Sequence, residues 1–328
     1  MLRYIGKRLL MLIPVLLGIS LVVIILIDIT PGDPARMMLG TQATEEQVEQ
    51  LREDLGLNDP IYVRYGRFLW NTINGDFGTS LMTKRPVADE MLLRLPYTLL
   101  LVSLSLVMSV IIGIPIGIYA ATHQHTWRDS GVMFLSMICV SVPSFVFALL
   151  LIRLFGVKLQ WLPLSGVESW RGWILPCVAM GLGLTALIAR QMRSDLLEII
   201  RQDYITTARA KGLSEGKVIY RHSLKNAAIP VIMVIGGVFG SSLGGSLIAE
   251  QIYSIPGMGD YIMKGLSNRD YPVIQSGILV ISSMFALVIL LVDVIFALVD
   301  PRIRSQYVSK KRGRMSKIAK ETEEIQAV

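Results

Sequence analysis

Apolar residues in this chain fall in long unbroken runs, and the polar residues lie mostly between them. Six runs approach the roughly 20 residues that a helix needs to cross the hydrocarbon core of a bilayer. They cover residues 9–27, 98–121, 131–155, 173–189, 227–249 and 276–299. Because only lipid accepts such surfaces without a covering partner, the pattern predicts an all-α integral membrane protein with six transmembrane helices.

Composition and charge support this class and set an orientation. The chain is 52% hydrophobic and only 17% charged, and its net charge is +7. If the N-terminus is placed inside, segments 1–8, 122–130, 190–226 and 300–328 are inner, and they hold more than half of the 32 lysines and arginines. The positive-inside rule then places both termini in the cytoplasm. The surplus positive charge would face membrane lipid or a soluble protein, so no nucleic acid partner is expected.

The segment that follows the first span is too long for a simple hairpin. Thr44 and Gln47 have capping-box spacing, and Gly56 is a natural helix end. A second helix is predicted from Pro60, and a third from Pro86 towards residue 95. We therefore expect a small helical insertion on the extracytoplasmic side.

Four regions result from this division. Residues 1–28 form the cytoplasmic N-terminus and an uncleaved first helix, and residues 29–96 form the extracytoplasmic insertion. Residues 97–300 form a five-helix transmembrane core that contains the inner loop 190–226. The basic tail 301–328 has no apolar face, so disorder is expected there.

The inner loop between the fourth and fifth spans has its own helical pattern. Residues 201–226 read RQDYITTARAKGLSEGKVIYRHSLKN. A helix is predicted from Asp203 to Lys211, with Gly212 as its stop and Leu213 at the start of a second helix. The residues alone allow two interpretations, a solvated basic connector or a docking element for another protein.

This loop resembles the hallmark of ABC-importer inner-membrane permeases, EAA-x3-G-x9-I-x-L-P. This chain departs from the general motif at three positions: the Glu is Thr206, the Ile is His222 and the final Pro is Lys225. The peptide/nickel branch writes the loop as DY-x-x-TARAKGL…RH-x-L-x-NA-x-x-P, and this chain matches that string from Asp203 to Pro230. The chain is similar to the first of the two permease subunits of that branch. Further strings of the same resemblance are TPGDP, GDFGTS, SVPSF, PGMGD, NRDYP and LVDPR.

The resemblance implies a non-catalytic transport subunit of the bacterial inner membrane. Its expected partners are a homologous second permease, two cytoplasmic ATPases and an extracytoplasmic substrate-binding protein. ATP and Mg²⁺ would be bound by the ATPases, and no cofactor or metal by this chain. Peptide is the implied cargo, with nickel or a metal chelate as the alternative. The loop would be the coupling helix, with the ATPase contact at Asp203, Thr207, Ala208, Arg209, Lys211, Gly212 and Leu213.

Several residues inside the spans are further candidates. Pro143 is expected to kink the third helix, which makes Ser141, Pro143 and Ser144 candidates for the translocation path. Small residues recur every fourth position at Gly236, Gly240 and Gly244, which are further candidates for the translocation path. This stripe favours close helix approach, either to a symmetric partner helix at the pore axis or within the subunit.

An ionisable residue, Asp293, lies inside the sixth span. An intramembrane carboxyl group needs a partner, and Arg190 or Arg193 near the inner boundary is the expected one. The sequence leaves two roles open for Asp293, a structural ion pair and a part in gating.

Two other functional classes fit the sequence less well. A phosphate-binding G-x-x-x-x-G-K-[ST] string does not occur, which argues against ATP hydrolysis by this chain. An intramembrane hydrolase would need a base within the bilayer, but all three histidines fall in predicted loops. A secondary transporter would show inverted repeats and several buried charges, and neither is evident.

Overall fold

The computed structural model describes residues 2–29, 32–40 and 42–299. The described residues are almost entirely helical, and their one β-bridge is isolated, between Thr79 and Pro86. The expected disordered tail, 301–328, lies outside the described residues. The helices are α1 (Leu2–Ile29), α2 (Pro34–Leu39), α3 (Glu45–Asp54), α4 (Ile61–Ile73), α5 (Val87–Thr122), α6 (Trp127–Ser141), α7 (Ser144–Leu151), α8 (Ile174–Ile200), α9 (Asp203–Ala210), α10 (Glu215–Lys217), α11 (Leu224–Ile252), α12 (Met258–Ser267) and α13 (Tyr271–Val299).

Five helical stretches are long and apolar enough to cross a membrane, and they correspond to five of the six predicted spans. They are centred on α1, α5, α8, α11 and α13. The outward faces of the bundle carry many exposed large apolar side chains, as expected where lipid is the solvent. The all-α membrane fold predicted from the sequence is confirmed.

The third predicted span, residues 131–155, is not a single helix. It breaks at Val142 and Pro143 into α6 and α7, and the two parts meet at 97°. Alone, the 15 residues of α6 extend about 22 Å, short of the roughly 30 Å hydrocarbon core. The predicted kink is therefore a bend of nearly a right angle between two helices. The described residues contain six spans only if this bent pair is counted as one.

The two ends of the bundle carry different attachments. We call the end with residues 201–223 the loop end and the end with α2, α3, α4 and α12 the cap end. In the cap, Thr44 and Gln47 form the predicted capping box at the start of α3. The α4 helix packs on α1, where the Tyr65 hydroxyl donates a 2.8 Å hydrogen bond to the Leu17 carbonyl.

One predicted boundary is wrong. The third helix of the insertion does not end near residue 95, because α5 continues without a break from Val87 to Thr122 and contains Pro96. Pro96 removes one intrahelical hydrogen bond and crowds the carbonyl four residues before it, yet the helix continues through it. The division at residue 96/97 is therefore not structural, and the second span extends into the cap.

Strings that are far apart in sequence meet at the cap end. The buried carboxyl group of Asp270, in NRDYP, accepts a 2.5 Å hydrogen bond from the Ser80 hydroxyl and a 3.1 Å bond from the Leu81 N–H. Ser80 closes the GDFGTS string, and Ser276 Oγ donates to the Phe77 carbonyl in the same loop. These bonds fasten the loop that precedes α5 to the first turn of α13.

Candidate functional site

The turn after α9 is a Schellman motif, the αL ending typical of helices that stop at glycine. Gly212 has φ of +78°. Its N–H bonds to the Arg209 carbonyl at 2.9 Å, and the Leu213 N–H bonds to the Ala208 carbonyl at 3.4 Å. These are the two backbone bonds that define the motif. The predicted helix and its glycine stop are confirmed.

The α9 helix has one buried and one exposed face. Ile205 and Ala208 are buried against the chain itself. Asp203, Thr207 and Lys211 are exposed. Ala208 is only 8% exposed, so its side chain offers little area to a partner, and its contact with one stays a prediction. The face available to another protein is polar.

Arg209 already has a partner within the chain. Its Nε and Nη2 donate hydrogen bonds of 2.7 and 3.2 Å to the two carboxyl oxygens of Glu215, across the turn. This hydrogen bonding raises the pKa of the Arg209 guanidinium. The pair is solvent-exposed, and such pairs contribute only about 0.2–1 kcal/mol. It orients Arg209 without removing it from the surface.

The helical segment after the turn continues without a break into the fifth span. Residues Glu215–Ile252 form one helical stretch of 38 residues. Within it, Val218–Ser223 is π-helical. The side-chain amide of Asn226 donates a 2.8 Å hydrogen bond to the Tyr204 hydroxyl, which ties α9 to the first turn of α11.

The predicted path residues lie partly together. Pro143 and Ser144 line a cavity of about 280 Å³ with Ser241 and Ser242 of α11 and with residues of α8. Ser141 and the three glycines of the stripe are not among its lining residues. The cavity is mostly apolar, and the broken helix supplies one wall of it.

The glycine stripe serves packing within the subunit at two of its three positions. A Cβ built on Gly236 would lie 2.2 Å from Val292, and one on Gly240 would lie 2.9 Å from Phe285, both on α13. A Cβ on Gly244 would meet no atom within 4 Å in the described part of the chain. The interpretation of Gly236 and Gly240 as a pore-axis contact is therefore corrected, because they allow α11 and α13 to approach closely.

The expected partner of Asp293 is also corrected. Its Oδ2 lies 2.8 Å from Nη1 of Arg8 on α1, a charge contact at the loop end. Arg193 is instead engaged by Asp129, which is buried and accepts bonds of 2.5 and 2.6 Å from it. Because α1 packs beside α13, Arg8 lies within reach of Asp293.

A buried carboxyl group that was not predicted from the sequence lies at the cap end. Glu250, near the end of α11, has no exposed surface. Its Oε1 accepts hydrogen bonds from Thr98 (2.7 Å) and Ser246 (3.0 Å), and its Oε2 accepts from the Asp260 N–H (3.0 Å). Thr98 in turn accepts the Met258 N–H at 2.8 Å. The group joins α5, α11 and the first turn of α12.

The PGMGD string is explained by this cluster. A Cβ on Gly257 would lie 2.4 Å from Cδ of Glu250, and one on Gly259 would lie 2.6 Å from the Leu247 Cα. Only glycine allows the chain to pass so close to Glu250. The sequence signal for the site was the pair of closely spaced glycines within ten residues of an acid at the end of an apolar run.

The comparisons with known proteins agree with the fold. Residues 113–305 match the family model described as binding-protein-dependent transport system inner membrane component, and residues 1–102 match the N-terminal model of such components. The chain is 42% identical over 304 residues to the glutathione transport system permease protein GsiC of Escherichia coli (strain K12), which covers 93% of this chain and 99% of that protein. It is 41% identical over 304 residues to the protein of the same name in Salmonella paratyphi A (strain ATCC 9150 / SARB42).

A solved structure shares the fold at low sequence identity. The structure entitled inward facing conformations of the MetNI methionine ABC transporter, in the CY5 native crystal form, aligns with a TM-score of 0.55 and 18% identity, over 64% of this chain and 96% of that one. The family models and the 42% identical relative carry the assignment. The chain belongs to the binding-protein-dependent transport system inner membrane components, the permease subunits of ABC importers.

Proposed function

We propose that this chain is one of two permease subunits of a peptide importer, and that ATPase subunits drive it through α9 and the Gly212 turn. The observation that carries the proposal is the attachment of α9. Its exposed polar face is held by a Schellman turn and a Tyr204–Asn226 hydrogen bond to a continuous helix that ends at residue 252. A lever that transmits displacement needs this stiffness.

The contact itself is assigned to the exposed side of α9 and the turn. Asp203, Thr207, Lys211 and Gly212 offer polar side chains and open backbone there. Arg209 presents its remaining N–H donors on the same surface. Ile205 and Ala208 support this face from behind.

The other subunits follow from the role. The loop end faces the cytoplasm and meets two ATPases, which bind ATP and Mg²⁺; this chain binds neither. A homologous second permease completes the membrane part, and an extracytoplasmic binding protein delivers cargo to the cap end. The loop end carries Lys211, Lys217 and Arg221 on exposed positions, in keeping with the positive-inside rule.

Peptide is favoured as cargo by two independent leads. The loop string from Asp203 to Pro230 is that of the peptide/nickel branch. The 42% identical relative is named for transport of glutathione, which is itself a tripeptide. Nickel or a metal chelate is the alternative within the same branch.

Reconstitution separates these substrates. The permease pair with its ATPases is placed in proteoliposomes, and ATP-dependent uptake is measured with dipeptides, longer peptides, glutathione and nickel, each with the binding protein present. Uptake of peptides or glutathione supports the proposal, whereas uptake of nickel alone overturns the cargo assignment. A photo-crosslinker at Lys211 should label an ATPase subunit, and one at Tyr62 in the cap should not.

A further inference from the structure

A second, larger depression lies at the loop end of the bundle. It is a groove of about 860 Å³ between α5, α6, α8 and the π-helical segment that leads into α11. It is separate from the coupling contact on the exposed face of α9. Its walls are mainly aliphatic, from Ile112, Ile116, Val132, Leu135, Leu182 and Ile219.

Polar groups occur at one end of this groove. Thr122 and His123, at the end of α5, and Tyr220, in the π-helical segment, form that end. The Nδ1 of His123 lies 2.9 Å from the Tyr119 carbonyl, which can only accept, so Nδ1 carries the proton and Nε2 is left for another partner. The groove is thus apolar along its length and polar at its mouth, which is the polarity of a lipid molecule.

Two cations lie close in sequence to residues that line this groove. Arg128 lies one helical turn before Val132, and residues four apart share a helix face. Lys217 lies three residues before Tyr220. Both side chains are exposed, and neither forms an ion pair with another described residue. The acidic residues next to them in sequence, Asp129 and Glu215, are already paired with Arg193 and Arg209. A negatively charged ligand would therefore find both cations available.

We propose that this groove binds an acyl chain of an anionic phospholipid, with the lipid phosphate held by Arg128 and Lys217. The groove is open at its side, where Leu135 is 62% exposed, so an acyl chain has a lateral entry. Charge-assisted hydrogen bonds to phosphate are among the stronger contacts available to Arg and Lys. The bound lipid contacts both the helix bundle and the segment that joins α9 to α11.

Photolabelling of the full chain tests this proposal without any transport measurement. The chain is placed in phosphatidylcholine nanodiscs that contain phosphatidylglycerol with a photoactivatable group near the end of one acyl chain. Mass spectrometry then locates the labelled residues. We expect label on the groove residues 112–135 and 219–220, and we expect unlabelled phosphatidylglycerol to compete much better than added phosphatidylcholine.

Two variants and one control sharpen the test. Arg128→Gln removes a phosphate donor, and Leu135→Trp fills the groove from an exposed position that does not require refolding. Each should lower labelling about tenfold, the equivalent of one lost charged hydrogen bond or of blocked entry. Arg153→Gln changes an exposed arginine at the other end of the bent pair and should leave labelling unchanged.

Three results overturn the proposal. One is equal labelling by the phosphatidylcholine form of the probe, which removes the role of charge. Another is label spread evenly over lipid-facing helices and insensitive to Leu135→Trp. The third is a groove that stays unlabelled in the assembled transporter, combined with cross-linking of a cysteine at position 135 to the second permease. That pair of results would make the second permease the occupant of the groove.

Discussion

Asn226 and Tyr204 are joined by a 2.8 Å hydrogen bond, in which the side-chain amide donates to the phenolic oxygen. Tyr204 lies on α9 and Asn226 lies in the first turn of α11. Both belong to the loop string that the sequence shares with the peptide/nickel permeases. The bond is therefore a second attachment of α9 to the fifth span, in addition to the backbone turn at Gly212.

Tyr204→Phe tests this attachment. The change removes one hydrogen bond and keeps the ring, so docking of α9 should weaken by about 1 kcal/mol, roughly fivefold in the docking equilibrium. We expect ATP hydrolysis to continue while the amount of substrate imported per ATP falls. Reconstituted uptake measured with ATPase rate gives this ratio. Tyr62→Phe, at an exposed position of the cap, is the matched control and should leave the ratio unchanged. An unaltered ratio in Tyr204→Phe means that the backbone turn alone carries the motion.

Arg209 offers a test that separates a partner contact from an internal brace. Arg209→Glu breaks the pair with Glu215 and reverses a charge on the exposed face. The pair contributes little to stability, about 0.2–1 kcal/mol, so the fold should persist. We expect the yield of the permease–ATPase complex to fall, as measured by co-purification.

The double variant Arg209→Glu with Glu215→Arg identifies the cause. It restores an ion pair across the turn but leaves negative charge where Arg209 was. If Arg209 contacts an ATPase, complex yield stays low in the double variant. Recovery of the yield would show that Arg209 acts only through Glu215, and it would remove this residue from the contact.

Glu250→Gln probes the buried cluster at the cap end. Three protein donors converge on this carboxyl group, and glutamine offers one acceptor oxygen where the carboxyl group offers two. Its N–H₂ lies either against the Asp260 N–H or against the Thr98 and Ser246 hydroxyls, so at least one of the three bonds must be lost or reversed. A buried donor left without an acceptor costs about 1–3 kcal/mol. We expect lower thermal stability and faster amide hydrogen exchange in residues 257–267. Gln251→Ala, at the exposed neighbouring position, should change neither quantity. If Glu250→Gln matches the wild type in both, the cluster does not hold α12.

Local signals in the sequence predicted local structure correctly. The Thr44 capping box and the Gly212 stop depend on side chains and backbone angles within a few residues, so their physical causes are visible in the string itself. The long apolar runs predicted the spans for the same reason. The break at Pro143 was anticipated as a kink, but its 97° angle depends on packing against α8 and α11.

Partners across the fold were not predictable in the same way. Thr98 is 152 residues from Glu250, and no periodicity connects the two. Asp293 was paired by proximity to the wrong arginines because the position of α1 beside α13 is set by tertiary packing. The sequence also does not say which helix packs against Gly236 and Gly240, because that neighbour is set by tertiary packing as well.

Gly212 carries the central claim, that α9 and its turn form a stiff link to the fifth span. Its φ of +78° is strained for any other residue, although a Cβ added there would meet no atom within 4 Å. A β-branched side chain there costs at least about 1–2 kcal/mol through the backbone alone. Asparagine tolerates this region better than other non-glycine residues. Gly216→Val, in the short α10 helix with equally open space, is the matched control.

The decisive measurement is the number of substrate molecules imported per ATP hydrolysed, in proteoliposomes that contain Gly212→Val, Gly212→Asn or Gly216→Val. A stiff link predicts that the ratio collapses in Gly212→Val, largely recovers in Gly212→Asn and is unchanged in Gly216→Val. A wild-type ratio in Gly212→Val, with complex formation intact, would contradict it.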